Sequence, residues 1–245
     1  MIESVEPRWA GQRCIVAATG PSLTTRIADL CRAAHERGSY KIVVVNDAYR
    51  LLPFADVLYA CDAKWWDVHK GCPDFFGEKW SSHSDGVNNK TVAAKKHGLK
   101  LVAGKAADGF STDPAVIHYG NLSGFQAINW ALLAIGFHGH VDLVGFDMHA
   151  RTGRHFFGDH PKPLDNSCKY DVWVPKFETA QKMLPKTVEI VNCTPGSAIG
   201  CFRMSTLEKE IAGIATKKGP AVRAAPQPVS EGAGGVHRVD APGGG

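Results

Sequence analysis

The stretch GFDMHARTGRHFFGDHPKPL, residues 145–164, carries Asp147, His149, Arg151, Arg154, His155, Asp159 and His160. Histidine is the usual proton acceptor near neutral pH. Arginine matches phosphate and carboxylate groups with its planar fork of donors. The spacing fits neither H-E-x-x-H nor another firm zinc pattern, so no metal ligand is singled out. A solvated polar loop has a similar composition. Asp147, however, ends an apolar run, which puts the segment where a buried strand opens onto a ligand.

A second chemical signal is VAATGPSL, residues 16–23. Gly20 lets the chain turn and a ligand approach closely, and Pro21 presets φ before a helix. Ser22 is the expected N-cap, and the free N–H groups of Ser22 and Leu23 face outward as phosphate donors. Two further strand ends carry polar groups. Asn46-Asp47 can meet a base or ribose, and Asp62 a ribose or a metal ion. Trp65 and Trp66, just after it, read better as core aromatics than as base clamps. Asn121-Leu122-Ser123-Gly124 opens the clearest helix, with Ser123 as its expected N-cap and Gly124 leaving room for an anion. Thr194-Pro195-Gly196-Ser197 forms a second turn, shaped like the first, that can close over a nucleotide.

The elements that must position these groups alternate. Residues 13–18, 41–46, 56–62, 100–104, 115–120, 140–147 and 188–193 read as strands, mostly unalternating and β-branched, as in a sheet covered on both faces. Residues 22–37, 123–137 and 172–184 show helical spacing. The pattern predicts an α/β, Rossmann-like, doubly wound and mostly parallel sheet with helices on both faces. Residues 1–204 are read as one nucleotide-binding transferase domain. Residues 205–245 are read as a Gly/Ala/Pro-rich tail, disordered from about 217 because it carries too little apolar area to order itself.

Of the 245 residues 44% are hydrophobic, enough for a core, and the formal charge of +4 is mild and scattered. Specific nucleic-acid binding is therefore not expected, whereas a small anionic ligand is. Seven cysteines without a C-x-x-C pair read as reduced thiols. No run approaches the about 18–20 apolar residues of a membrane span, and no signal peptide opens the chain. The expected location is the cytoplasm, and a homo-oligomer is compatible with everything in the chain.

Taken in order, these words resemble the superfamily that holds the family 42 sialyltransferases and the MptE-like proteins, which include 6-hydroxymethylpterin diphosphokinases. The matching words are GPSL, VVNDAY, ADVLYACD, SGFQAINWALLAIGF-HGHVDLVGFDM and VEIVNCTPGSAIGCF, spanning about residues 12–204. The resemblance implies a nucleotide held by Gly20, Ser22, Asn46 and Ser123, with a loop histidine as general base, His160 before His155. It implies a transferase, first a glycosyltransferase taking a nucleotide-activated sugar such as a CMP-sugar and passing it to a hydroxyl acceptor; Arg151 or Arg154, by its own chemistry, would meet the leaving phosphate. The aspartates Asp47, Asp62 and Asp147 support an alternative, Mg²⁺-assisted pyrophosphoryl transfer from ATP as in the MptE branch. A third reading is a non-catalytic nucleotide- or sugar-binding accessory protein.

Overall fold

The unalternating runs around Ile15, Val43 and Leu143 form strands covered on both faces, and every strand pairing is parallel. The structure is a computed structural model describing residues 2–83, 88–164 and 167–217. The strands are β1 (Arg13–Ala17), β2 (Tyr40–Val45), β3 (Val57–Tyr59), β4 (Glu78–His83), β5 (Lys100–Lys105), β6 (Val116–His118), β7 (Gly139–Val144), β8 (Val188–Asn192) and β9 (Arg203–Met204). They lie in the order β6-β5-β4-β3-β2-β1-β7-β8-β9. The helices are α1 (Thr25–Glu36), α2 (Ala63–Val68), α3 (Asn88–His97), α4 (Ser123–Ala134), α5 (Tyr170–Lys182) and α6 (Leu207–Lys217). The expected doubly wound α/β architecture is what forms.

Side-chain alternation sorts each strand between two cores. Cys14, Val16, Val43, Val45, Val141 and Leu143 pack under α4, α5 and the N-terminal residues Val5 and Trp9. Ile15, Ala17, Ile42, Val44 and Val144 pack under α1, α2 and α6. Trp65 and Trp66 belong to this second core, as their sequence context suggested.

Helix α4 was expected to present one apolar face, yet all of Ser123–Ala134 is buried. It lies between the sheet and a second layer: Phe125 meets Phe177 of α5 at 5.4 Å, and Trp130 meets Trp9 at 5.2 Å between ring centroids. Its polar residues are therefore bonded inside. Gln126 accepts from the Tyr59 hydroxyl (2.8 Å) and donates to the Tyr119 carbonyl (3.0 Å). Asn129 accepts from the N–H groups of Ser111 and His118 and donates to the Ser111 carbonyl, each at 2.9 Å.

Four expectations change. Ser22 does not cap α1. Its N-cap is Thr24, whose hydroxyl accepts from Ile27 N–H at 3.3 Å, because residues 20–23 are used in a tight turn first. Ser123 is not a cap but the first residue of α4, after Leu122. Strand β4 escaped notice because its buried Ser81 and Ser82 break the apolar pattern. The segment opening the expected tail forms α6, whose Leu207 is buried and whose Ile211 and Ile214 pack against the second core. The stretch from residue 218 lies outside the described residues. Among the described residues no helix is long and apolar enough to cross a membrane.

Asn129→Ala removes one acceptor for two backbone N–H groups and one donor for a carbonyl. The expected cost is about 3 kcal/mol, read as a fall in the urea midpoint with an unchanged m-value.

Candidate functional site

Strand order reverses beside β1: the chain moves outward from β1 to β6, returns through α4, and continues outward on the other side from β7. Ligands of parallel sheets bind outside the strand ends at such a point. Here the two ends are joined closely. Gly20 N–H donates to the Gly145 carbonyl (2.8 Å), and Ala18 N–H to the Val144 carbonyl (2.9 Å). Gly145 has φ +72°, and a Cβ on Gly20 would run into the Asp147 carboxylate. Both positions therefore require glycine.

The donors of the first turn are already satisfied by a charge from the protein itself. Ser22 donates its N–H to Asp147 Oδ1 (3.2 Å) and its hydroxyl to Asp147 Oδ2 (2.7 Å). Leu23 donates its N–H to the Gly20 carbonyl (3.0 Å), and its side chain is core. The expectation that Ser22 and Leu23 offer free phosphate donors is thus corrected: the turn holds the Asp147 carboxylate. Neither Pro21 nor Ser22 lines the adjoining cleft.

That cleft has a volume of about 300 Å³. Gly20 and Asp147 form its floor at the β1–β7 join, with Asn46 and Asp62 following β2 and β3. Asn46 is held at φ +47°, a conformation asparagine tolerates better than most residues. The start of α4 forms one wall through Ser123 and Gly124. The first intrahelical bond there runs from Gln126 N–H to the Leu122 carbonyl, so the N–H groups of Ser123, Gly124 and Phe125 have no acceptor within the helix. The Ser123 hydroxyl is spent on the residues just after β3, accepting from Cys61 N–H (3.2 Å) and donating to Cys61 Sγ (3.0 Å). Burial, followed by the nearby Asp62 charge, pushes the Cys61 thiol up to about 12, so it remains protonated.

The opposite wall is the polar segment after β7. Phe156 N–H donates to the Thr19 carbonyl (2.9 Å), which docks the segment on the first turn. Arg154, His155 and His160 line the cleft from there. His155 Nδ1 lies 3.0 Å from Thr19 Oγ1, its ring stacks on Phe157 at 5.0 Å, and its centroid is 4.6 Å from that of His160. Burial, then the charges of His160 and Arg154, press its pKa down to about 4. Arg154 also bonds Asp159 at 2.7 Å.

Other expected site residues lie elsewhere. Asp47 is buried and structural: it accepts from Trp65 Nε1 at 2.9 Å, and its Oδ1 is 3.0 Å from His69 Nε2. Burial opposes its ionisation, but the bonds from His69 and Trp65 outweigh that and hold its carboxyl below the ordinary range. Arg151 is exposed and donates to the Gly196 carbonyl (2.9 Å), outside the cleft. The Thr194–Ser197 turn does not cover the cleft. Thr194 Oγ1 accepts from Phe146 N–H (3.0 Å) and Ser197 Oγ donates to the Phe146 carbonyl (2.5 Å), so the turn clamps the backbone beside Asp147. A Mg²⁺ ion shared by Asp47, Asp62 and Asp147 does not fit this geometry, because Asp47 and Asp147 are committed to protein donors.

Sequence reasoning did not single out the roof of the cleft, Tyr170 and Trp173, whose rings meet at 5.8 Å on α5. Their spacing of three on a helix was the available signal. It also missed a His140, Asp142 and Glu210 cluster with metal-ligand geometry. Arg13 and Arg203 already bond Glu210 there, so protein cations meet its charge.

No family model matches the sequence, and no curated protein is significantly similar to it. Among solved structures, the MAf glycosyltransferase from Magnetospirillum magneticum AMB-1 shares the fold, with a TM-score of 0.53 and 16% sequence identity. The alignment covers 86% of this chain and 38% of that one, so the chain spans well under half the length of this neighbour. At that identity the likeness is one of fold, and it does not separate the sialyltransferase branch from the MptE branch.

His155 gives a direct test of the site's electrostatics. NMR titration should show it neutral down to about pH 4, and Arg154→Gln should raise its pKa by removing a neighbouring charge. A depressed histidine pKa means the unfolded chain binds the extra proton first. This group's contribution to stability is therefore complete above about pH 6.5 and falls between there and about pH 4.

Proposed function

We propose that this chain is a nucleotide-dependent glycosyltransferase domain, with the sugar donor's phosphate seated at the start of α4. What carries the reading is one juxtaposition: the open N-terminus of α4, Arg154, His155 and His160 line the same cleft at the strand-order reversal. The N–H groups of α4 and the Arg154 guanidinium suit a phosphate leaving group, since both act on charge that grows as the glycosidic bond breaks. Asn46 and Asp62 lie along the strand ends where a ribose or base would extend. The fold neighbour named above is itself a glycosyltransferase, which agrees with this chemistry.

In this reading His160 accepts the acceptor hydroxyl's proton. The hydroxyl oxygen attacks the anomeric carbon, and the carbon–oxygen bond to phosphate breaks with its electron pair passing to the phosphate. His155 stays neutral beside it, because it is buried and because two imidazolium rings so close repel. Asp147 is a positioning residue that holds the first turn in shape. The reading uses no metal.

A thermal-shift series with CMP, UMP, ADP, GDP and ATP, with and without Mg²⁺, tests this. A nucleotide at about a hundred times its Kd should raise Tm by roughly 5–10 °C, and Arg154→Ala should remove most of that shift. With the matching sugar donor, His160→Gln should lower kcat about 10²- to 10⁴-fold while leaving the nucleotide shift intact. Turnover should survive EDTA. An absolute Mg²⁺ requirement would move the reading to pyrophosphoryl transfer, and binding without turnover on any donor would move it to an accessory binder.

A further inference from the structure

A second groove, of about 320 Å³, adjoins the cleft and is used by nothing described so far. Asn121 lines both spaces, so the two meet beside the start of α4. Helix α5 also spans them: Tyr170 and Trp173 face the cleft, and Lys176, one turn further on, lines the groove. The far wall is the segment after β5, with Ala106, Ala107 and Asp108. Lys176 Nζ reaches across to Asp108 Oδ1 at 3.3 Å.

The walls of this open groove are tied to the body of the protein by hydrogen bonds. The segment after β5 is anchored by His118, whose Nδ1 lies 3.1 Å and 3.0 Å from the carbonyls of Asp108 and Gly109, and by Asn129 through Ser111. Tyr119 lies over Gly104, which has no side chain to lift the ring, and its hydroxyl donates to the His83 carbonyl at 3.3 Å. Ala106, Ala107 and Gly120 add no bulk.

We propose that this groove is the acceptor subsite and that the acceptor is a saccharide; the assignment of an acceptor rests on the transferase reading above. The chemistry of the walls selects the class. Lys176 donates, Asp108 accepts, and the Asn121 amide does both, all within a short span. Vicinal hydroxyls of a sugar ring are donors and acceptors at that spacing and can bridge the Lys176–Asp108 pair. Tyr119, its ring over Gly104 and under the Lys90 ammonium at 6.0 Å, shapes the wall beside these groups. An extended peptide would call for an apolar anchor pocket, whereas this lining is Asp108, Tyr119, Asn121 and Lys176 with small residues between them. A saccharide held here would direct a hydroxyl past Asn121 toward His160.

The test reads binding without turnover. Backbone amide NMR of the full chain is followed during titration with methyl β-glucopyranoside, methyl β-galactopyranoside and the methyl glycoside of N-acetylglucosamine, and separately with a Ser/Thr-containing peptide. At least one glycoside should shift the Asp108, Tyr119 and Asn121 amides with millimolar affinity. Ala107→Trp, which fills the groove from an exposed position, and Lys176→Met should each weaken that binding about tenfold or more. The melting temperature of each variant, with and without nucleotide, checks that it is folded. The proposal is overturned if no glycoside moves these amides, if both variants bind as the parent does, or if the peptide alone binds there. Because no donor enters this measurement, a failure of the nucleotide reading shows in the thermal-shift series and a failure of the groove shows here.

Discussion

The contact between the Asp147 carboxylate and the Ser22 turn sets the geometry on which the rest of the site depends. It ties the end of β7 to the end of β1 at the point where strand order reverses. A carboxylate can sit there only because residue 20 lacks a side chain and residue 145 adopts a left-handed backbone. The neighbouring parts then lock on. Phe156 bonds Thr19, Ala198 bonds the Asp147 carbonyl, and Thr194 and Ser197 bond Phe146. The turn's donors are thus part of a structural joint, and the N–H groups without a helical acceptor beside the cleft are those at the start of α4.

That joint shapes the electrostatics. With Asp47 paired to His69 and Trp65, and Asp147 to Ser22, the negative charge at the strand ends is largely committed to the protein. On the other side of the cleft, burial first and then the charges of His160 and Arg154 make His155 resist protonation. A phosphate would relieve this repulsion, so ligand binding and the basicity of the histidine pair should be coupled.

Much of the fold was legible along the chain. β1 and β2 are short, mostly apolar runs with little alternation, as a sheet covered on both faces requires. β4 was not legible, since Ser81 and Ser82 are buried where the pattern expects apolar residues. Helix α6 was missed because the composition of the following residues masked the Leu207, Ile211, Ile214 spacing. In the site, Gly20, Asn46, Asp62, Gly124, Arg154, His155 and His160 were all named from the sequence and all line one cleft. Asp47, Ser22 and Arg151 were named with them and are not in it. Tyr170 and Trp173 are in it and were not named.

The sequence by itself determined the doubly wound α/β class and most of its elements, because hydrophobic period and turn chemistry are local properties read over a few residues; the strand order came only with the fold. The sequence also marked the strand ends as the polar, glycine-bearing edge. Only the tertiary structure decided which polar groups there remain available and which are consumed. Ser22 and Asp147 stand 125 residues apart, and nothing local to either says that one will satisfy the other. Hydrogen-bonding capacity is shared through space, so a donor's availability is a property of the folded neighbourhood rather than of its motif.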